Sequence, residues 1–211
     1  AHTPIYGLHQ IADAPILEGL LEDLRPQVRR AALIILDQAP HRKLQPSTVV
    51  KALSDPPLRR AALASFIRHP EWVGEAVSLI RSLIASEDVV EQIPALSELI
   101  PAFIKSSEIR DLVIETISNG RRPAALRQLM LELLPQAPAP NDNHINTALR
   151  SALRSEDQTL ISAALGSVQG SRAEALRDDL EHIAHSTEMP LALRLGALRS
   201  SRSSRRHRRR G

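Results

Sequence analysis

Apolar residues near the start of the chain follow the spacing of one face of an α-helix. A first set predicts an amphipathic helix over 16–24: Ile16, Leu17, Leu20, Leu21 and Leu24. A second set predicts a helix over 27–38: Val28, Ala32, Leu33, Ile35 and Leu36. Pro26 suits the first turn of this second helix, and Ala39-Pro40 predicts its end because proline has no N–H and restricts the residue before it. The segment therefore predicts two helices joined by a short turn.

This helix pair belongs to a phrase that returns along the chain. Leu-Glu-Asp-Leu-Arg-Pro-Gln-Val-Arg-Arg-Ala-Ala-Leu at 21–33 comes back in shortened form at 53–63. Weaker copies follow, and each copy ends on an anchor leucine: Leu33, Leu63, Leu96, Leu126, Leu165 and Leu198. The mean spacing of the anchors is 33 residues, which is typical of stacked units that cannot bury their apolar faces alone.

The repeat predicts the fold class. The remaining helix pairs are expected near 46–69, 71–105, 107–135, 142–169 and 171–200. No stretch alternates apolar and polar residues for long enough to predict a sheet. We therefore predict an all-α superhelix of about six antiparallel helix pairs over 1–200, with a right-handed trend. Residues 4–13 look like the second helix of a pair whose first helix is missing, so we expect a domain that opens in mid-repeat, as part of a longer protein.

The repeated phrase resembles the HEAT repeat. Leu-x-Asp-x-x-Pro-x-Val-Arg-x-x-Ala-Leu at 21–33 fits the usual HEAT phrase, and the second copy keeps Asp55, Arg59 and Ala62-Leu63. The resemblance implies an armadillo-type α-solenoid. It is specific for the fold and names no partner.

A narrower similarity begins at Pro4-Ile5-Tyr6-Gly7-Leu8 and continues through Leu20-Leu21 into the 21–33 phrase. These residues are similar to the HEAT segment of multidomain membrane-bound dehydrogenases of planctomycete-like bacteria, which join a β-propeller, helical repeats and a cytochrome c domain. The similarity implies a spacer between catalytic modules, in the periplasm or cell envelope of a bacterium. Without it, a cytoplasmic location is expected.

Composition excludes several kinds of chemistry. The chain has no cysteine, so disulfides, thiolate metal sites, cysteine nucleophiles and covalent haem attachment are excluded. Its four aromatic residues are Tyr6, Phe66, Trp72 and Phe103, so the core must be aliphatic. The longest apolar run, 31–36, is far shorter than the ~18 residues expected of a membrane-spanning helix. We therefore predict no membrane span.

The net charge of +3 originates in the C-terminal segment. Residues 199–211 hold seven arginines and no acid, so 1–198 have 20 basic and 24 acidic residues and a net charge of −4. Nucleic acid is therefore an expected partner only through the arginines between Arg199 and Arg210. We predict that 201–211 form a disordered Arg/Ser-rich tail. Three interpretations of the tail stay open: an anion-binding arm for nucleic acid or lipid headgroups, a linker without function, and out-of-frame sequence.

The candidate binding residues are four arginines and one tryptophan: Arg29, Arg30, Arg59, Arg60 and Trp72. Asp23 with Arg29, and Asp55 with Arg59, form the sharpest local pairs. An aspartate near a helix start accepts from free N–H groups, and its remaining oxygen accepts from an arginine of its own or a neighbouring repeat. The alternative interpretation is a basic stripe that faces a ligand. Trp72 either caps a joint between repeats or is an exposed binding anchor.

No catalytic residue, metal or cofactor is assigned. Asp178, His182 and His185 share one side of a predicted helix, but one helix supplies all three and a fourth ligand is not evident, so we interpret them as a solvated face. Serine and histidine are scattered without a nucleophile elbow.

The sequence therefore predicts a non-catalytic helical-repeat scaffold or spacer that contacts proteins or adjacent domains of the same polypeptide. The alternatives are a nucleic-acid-associated HEAT-like protein of the DNA glycosylase type and a HEAT-like phycobilin lyase. The glycosylase type needs a positive groove with aromatic side chains, which the charge and composition disfavour.

Overall fold

The computed structural model describes residues 14–38, 44–136, 143–168 and 172–207, with side chains described as far as Ser201. Every regular element in these stretches is helical, which confirms the all-α prediction. A short 3-10 helix, Leu134–Gln136, follows α8. The α-helices are α1 Ala14–Leu20, α2 Pro26–Leu36, α3 Pro46–Leu53, α4 Pro56–Ile67, α5 Val73–Ala85, α6 Ile93–Phe103, α7 Ser107–Ser118, α8 Ala124–Leu133, α9 Asn143–Leu153, α10 Gln158–Ser167, α11 Arg172–Ala175, α12 Arg177–His185 and α13 Leu191–His207. The helix predicted over 4–13 lies outside the described residues.

Proline marks the start of α2, α3 and α4. Pro26, Pro46 and Pro56 occupy their first turns, where a missing N–H leaves no helical hydrogen bond unmade and the fixed φ suits the helix. The start of α2 was predicted from Pro26 on this ground.

The prediction of a first helix over 16–24 is wrong at its C-terminal end. Helix α1 ends at Leu20, and Leu24, expected on the apolar face, is 95% exposed. Two local effects explain the difference. The side chain of Asp23 accepts a hydrogen bond from the backbone N–H of Arg25, and Pro26 disfavours a helical conformation at Arg25. The chain therefore turns after Leu20 although its apolar spacing continues.

The chain divides into two units between Leu79 and Ile80. In the first unit, α1 packs against α2, α3 packs against α4, and α2 also packs against α4. The two anchor leucines of this unit, Leu33 and Leu63, are buried as predicted. The largest completely buried side chains around them are Leu17, Ile35, Leu36 and Phe66. The two helix pairs of this unit are thus joined through their second helices, α2 and α4.

In the second unit the helices also pack as sequential pairs. Helix α7 packs against α8, α9 against α10, and α12 against α13. Two rows of contacts connect these pairs: α6, α8, α10 and α13 contact one another in order, and α7, α9 and α12 do the same. The anchors Leu96 and Leu126 are buried as predicted. The anchor Leu198, on α13 at the end of one row, is 38% exposed.

Helix α13 extends to His207, so its backbone enters the segment for which we predicted disorder. Residues 208–211 lie outside the described residues. Across the described part of the chain, none of the helices has both the length and the apolar character that a bilayer crossing requires.

Candidate functional site

Arg29 links the first two helix pairs. Its Nη2 lies 2.7 Å from Oδ2 of Asp55, at the start of α4, and its Nη1 donates to the carbonyl of Asp23 at 2.8 Å. A guanidinium held by a carboxylate and by backbone oxygens makes strong, oriented hydrogen bonds. The ion pair therefore runs between neighbouring repeats, and Arg29 is engaged in structure.

Asp23 pairs with Arg25, a partner that the sequence reasoning missed. Its Oδ1 lies 3.0 Å from Nε of Arg25, and its Oδ2 lies 3.0 Å from Nη2. The side-chain and backbone hydrogen bonds from Arg25 lower the pKa of the Asp23 carboxyl to about 2. Since the spacing of the two residues is i, i+2, this pair fixes the turn that ends α1.

The predicted capping role is wrong for Asp55, whereas Asp157, which was not predicted as a cap, does cap a helix. Asp55 is the N-cap residue of α4 but its side chain accepts no capping hydrogen bond; it accepts from Arg29 instead. At α10, the side chain of Asp157 accepts from the backbone N–H groups of Thr159 and Leu160. The side-chain and backbone hydrogen bonds of Thr159 lower the pKa of Asp157.

An arginine four residues before the anchor leucine occurs in four copies of the repeat, at Arg29, Arg59, Arg122 and Arg194. Each donates to a backbone carbonyl in the last turn of an earlier helix or, for Arg29, in the turn that follows α1. The three that follow Arg29 reach Leu53 O at 3.1 Å, Ile84 O at 2.8 Å and Ala184 O at 3.3 Å. The last carbonyls of a helix have no partner within it, and a cation there complements the helix dipole. The sequence reasoning missed Arg122 and Arg194, although their offset from the anchor is a readable signal.

The contact of Arg122 with the Ile84 carbonyl predicts that Arg122 contributes more to stability than its neighbour Arg121. Replacing Arg122 by alanine should lower the free energy of unfolding by about 1–2 kcal/mol, because a hydrogen-bonded charged donor is lost from the Ile84 carbonyl. Arg121 is exposed, so Arg121→Ala is the matched control and should change stability by less than about 0.5 kcal/mol. Urea denaturation followed by circular dichroism measures both. Equal losses in the two variants would contradict the stabilising role of Arg122.

Asp37, Arg68 and His69 form a second link between the first two helix pairs. The Asp37 side chain, at the C-terminal end of α2, is 1% exposed. It accepts from Arg68, whose Nε lies 2.9 Å away, and its Oδ1 is 2.6 Å from Nε2 of His69. The other ring nitrogen of His69 is 2.6 Å from Oε1 of Glu71. Burial lowers the pKa of His69, but the hydrogen bonds to Glu71 and Asp37 outweigh it, so the pKa is raised above 6.5.

Trp72 is part of this cluster. Its ring stacks on that of His69, with centroids 4.0 Å apart and planes 9° apart. It also packs edge-to-face with Phe66, at a centroid distance of 5.5 Å. The side chain is 9% exposed, which argues for the structural role of Trp72 and against an exposed binding anchor.

Arg30 and Arg60 differ from the other two candidate arginines. Their side chains are exposed, as is that of Arg59. Unlike Arg59, neither makes a hydrogen bond or an ion pair within the described part of the chain. They line a groove of ≈ 570 Å³ between α2 and α4, together with Ile34, Ala61 and Ala64. The four candidate arginines thus divide into two that donate to backbone carbonyls, Arg29 and Arg59, and two that make no such contact among the described residues.

The side chains of Asp178, His182 and His185 are exposed on α12. Among the residues that the structure describes, no group of three or more histidine, aspartate or glutamate side chains is placed to hold a metal ion. Their neighbour Asp179, which the sequence reasoning passed over, is buried and accepts from Nε of Arg150 at 3.0 Å and from Nε of Arg154 at 2.8 Å.

Most of these contacts hold one helix pair on the next, and two arginines on one face are left exposed. Comparison with protein-family models and with curated proteins finds no match to this chain. The function is therefore argued from the geometry of the described residues.

Proposed function

We propose that the chain is a non-catalytic α-solenoid of HEAT type that acts as a scaffold or spacer for a partner protein or for adjacent domains of the same polypeptide. The observation that carries this proposal is the order of helix contacts in the second unit. The second helices α6, α8, α10 and α13 contact one another in order, and so do the first helices α7, α9 and α12. Contacts limited to neighbours are the pattern of stacked repeats, whose extended faces serve as binding surfaces.

Hydrogen bonds at the spacing of the repeat support the same proposal. Six residue pairs joined by such hydrogen bonds lie 29 to 36 residues apart: Lys51 and Glu22, Arg68 and Asp37, His69 and Asp37, Arg150 and Asp179, Ser167 and Leu131, and Ser200 and Leu165. Such contacts orient one helix pair on the next. Their spacing matches the period of the anchor leucines, so hydrogen bonds connect successive helix pairs at several points along the chain.

Nucleic-acid binding is the alternative, and a single experiment separates the two. We expect the full chain to bind duplex DNA at ~150 mM salt only through its C-terminal arginines, because residues 1–198 have a net charge of −4. At this salt concentration charges act over only ~8 Å, so the arginines can bind DNA despite the net negative charge of residues 1–198. The variant for fluorescence anisotropy replaces five arginines by serine: Arg205, Arg206, Arg208, Arg209 and Arg210.

Cross-linking mass spectrometry with an extract of the source cells supplies the second half of this test. Cross-links to proteins should persist after nuclease treatment and should include lysines of the repeats. The scaffold proposal loses to the nucleic-acid alternative if the serine variant binds duplex DNA as tightly as the parent chain, or if nuclease abolishes the cross-links.

A further inference from the structure

We propose that the groove between α2 and α4 binds an acidic segment of a partner protein, with Arg30 and Arg60 each holding a carboxylate. This inference rests on the proposed scaffold function and gives it a surface and a partner chemistry. It follows from the position of the two arginines, from the surroundings of the groove, and from the charge of the rest of the chain.

The repeat places the two arginines side by side. Arg30 and Arg60 hold the same position in successive copies of the phrase, three residues before Leu33 and Leu63. Their helices pack against each other, and packed helices have axes about 8–10 Å apart. Two guanidinium groups on neighbouring helices are therefore presented on one face, at a separation that two side chains of one peptide can span.

The floor of the groove leaves room for a peptide backbone. Ala61 and Ala64 line it with single methyl groups, and Ile34 supplies an apolar contact. Arg29 and Arg59, one position before the two groove arginines, are engaged by Asp55 and by the Leu53 carbonyl respectively. The alternation of engaged and exposed arginines means that an incoming carboxylate meets only Arg30 and Arg60 without displacing a structural contact.

The groove stays cationic when its one acidic residue is counted. Asp37 also lines it, but this carboxylate already accepts from Arg68 and His69. The positive charge of Arg30 and Arg60 is therefore not neutralised from within the groove. Guanidinium groups bind carboxylates in a bidentate manner, which adds orientation to the charge attraction.

An acidic peptide fits this surface better than nucleic acid does. Sequence-independent binding to nucleic acid depends on many phosphate contacts along a basic track, whereas this groove offers two exposed arginines together with the partly engaged Arg68. The net charge of −4 on residues 1–198 repels a long polyanion, since the field of the whole chain acts on it. A short acidic segment needs only the local charge.

The test measures binding of a fluorescein-labelled oligoglutamate peptide by anisotropy, with an oligoglutamine peptide as the neutral probe. It uses the full-length chain in which Arg205, Arg206, Arg208, Arg209 and Arg210 are replaced by serine, because these arginines would also bind a polyanion. The variant is Arg30→Glu/Arg60→Glu. The matched control is Arg81→Glu/Arg121→Glu, which makes the same change in charge at two exposed arginines outside the groove.

We expect the groove variant to bind oligoglutamate at least about tenfold more weakly, since paired charges at an interface are lost. The affinity of the control variant should stay within about twofold of the parent, as for charges at a rim. Thermal melting by circular dichroism verifies that both variants fold.

A third variant, Arg30→Lys/Arg60→Lys, keeps the charge and removes the bidentate fork; we expect an intermediate loss. The inference is overturned if the chain does not bind oligoglutamate, or if the two glutamate variants lose affinity for the peptide to the same extent. It is also overturned if duplex DNA binds the groove more tightly than the peptide does. Its failure is distinguishable from failure of the scaffold proposal. If Arg30→Glu/Arg60→Glu keeps the nuclease-resistant protein cross-links, the scaffold proposal stands and its partner uses another face.

Discussion

Replacing Leu126 by alanine should lower the free energy of unfolding by about 2–5 kcal/mol, because a cavity opens where the side chain was fully enclosed. Leu126 is 0% exposed, and its helix α8 contacts α6, α7 and α10. The control is Leu198→Ala at the equivalent anchor position on α13. Leu198 is partly exposed, so its truncation should cost less than about 1 kcal/mol. Urea denaturation followed by circular dichroism measures both changes.

Amide hydrogen exchange can show which helices are destabilised by Leu126→Ala. In a stack of repeats, stability is close to a sum of terms within a repeat and between neighbours. Faster exchange in Leu126→Ala should therefore be largest in α6, α7, α8 and α10. Equal costs for the two truncations, or uniformly faster exchange over the whole chain, would contradict the assignment of Leu126 to a joint between repeats.

The positions of the helices could be predicted because apolar spacing and proline are local signals. Each predicted pair from 46–69 to 171–200 contains helices of the structure. The end of α1 could not be predicted in this way. Apolar spacing continues through Leu24, but the Asp23–Arg25 contact and the following proline turn the chain earlier. A local hydrogen bond and a backbone restriction here outweigh the burial that the spacing would allow.

For the candidate site, the sequence predicts which residues make ion pairs better than it predicts the partner of each residue. The sequence indicated that Asp23 and Asp55 each accept from an arginine of their own or a neighbouring repeat. Asp55 does accept from Arg29 of the preceding repeat, whereas Asp23 accepts from Arg25, which was not considered. The choice depends on the rotation of each helix about its axis, which also decides that Arg30 faces solvent. Long-range contacts leave even less local signal. Nothing within a few residues of Asp37 indicates that His69, far along the chain, is its partner.

Removing the Asp37 carboxylate should be among the most destabilising charge changes in the chain. Asp37→Ala removes the buried carboxylate that both Arg68 and His69 contact, and a hydrogen bond to a charged group contributes about 1.5–3 kcal/mol. We expect the free energy of unfolding, measured by urea denaturation at pH 6, to fall by an amount near that range. Glu71→Gln is the control: the Glu71 side chain is exposed, so this change should cost less, since exposed ion pairs contribute about 0–1 kcal/mol.

The same cluster makes stability depend on pH with a definite sign. The pKa of His69 is raised above its ordinary value of 6.5 in the folded chain, so the folded state holds this proton more tightly than the unfolded state. Its stabilisation is fully present below about pH 6.5 and is lost as the pH rises through the raised pKa. Arg68, Asp37 and Glu71 are the charged groups of this cluster.

Trp72 reports this titration directly. It is the only tryptophan of the chain, and its ring stacks on His69, where an imidazolium quenches indole emission by accepting electron density. Emission should therefore rise with pH through a midpoint above 6.5, while the free energy of unfolding falls over the same interval. His69→Gln should remove the emission change and flatten the stability profile over this interval. A midpoint below 6.5, or an unchanged slope of stability with pH in His69→Gln, would show that His69 is not held as the cation between Asp37 and Glu71.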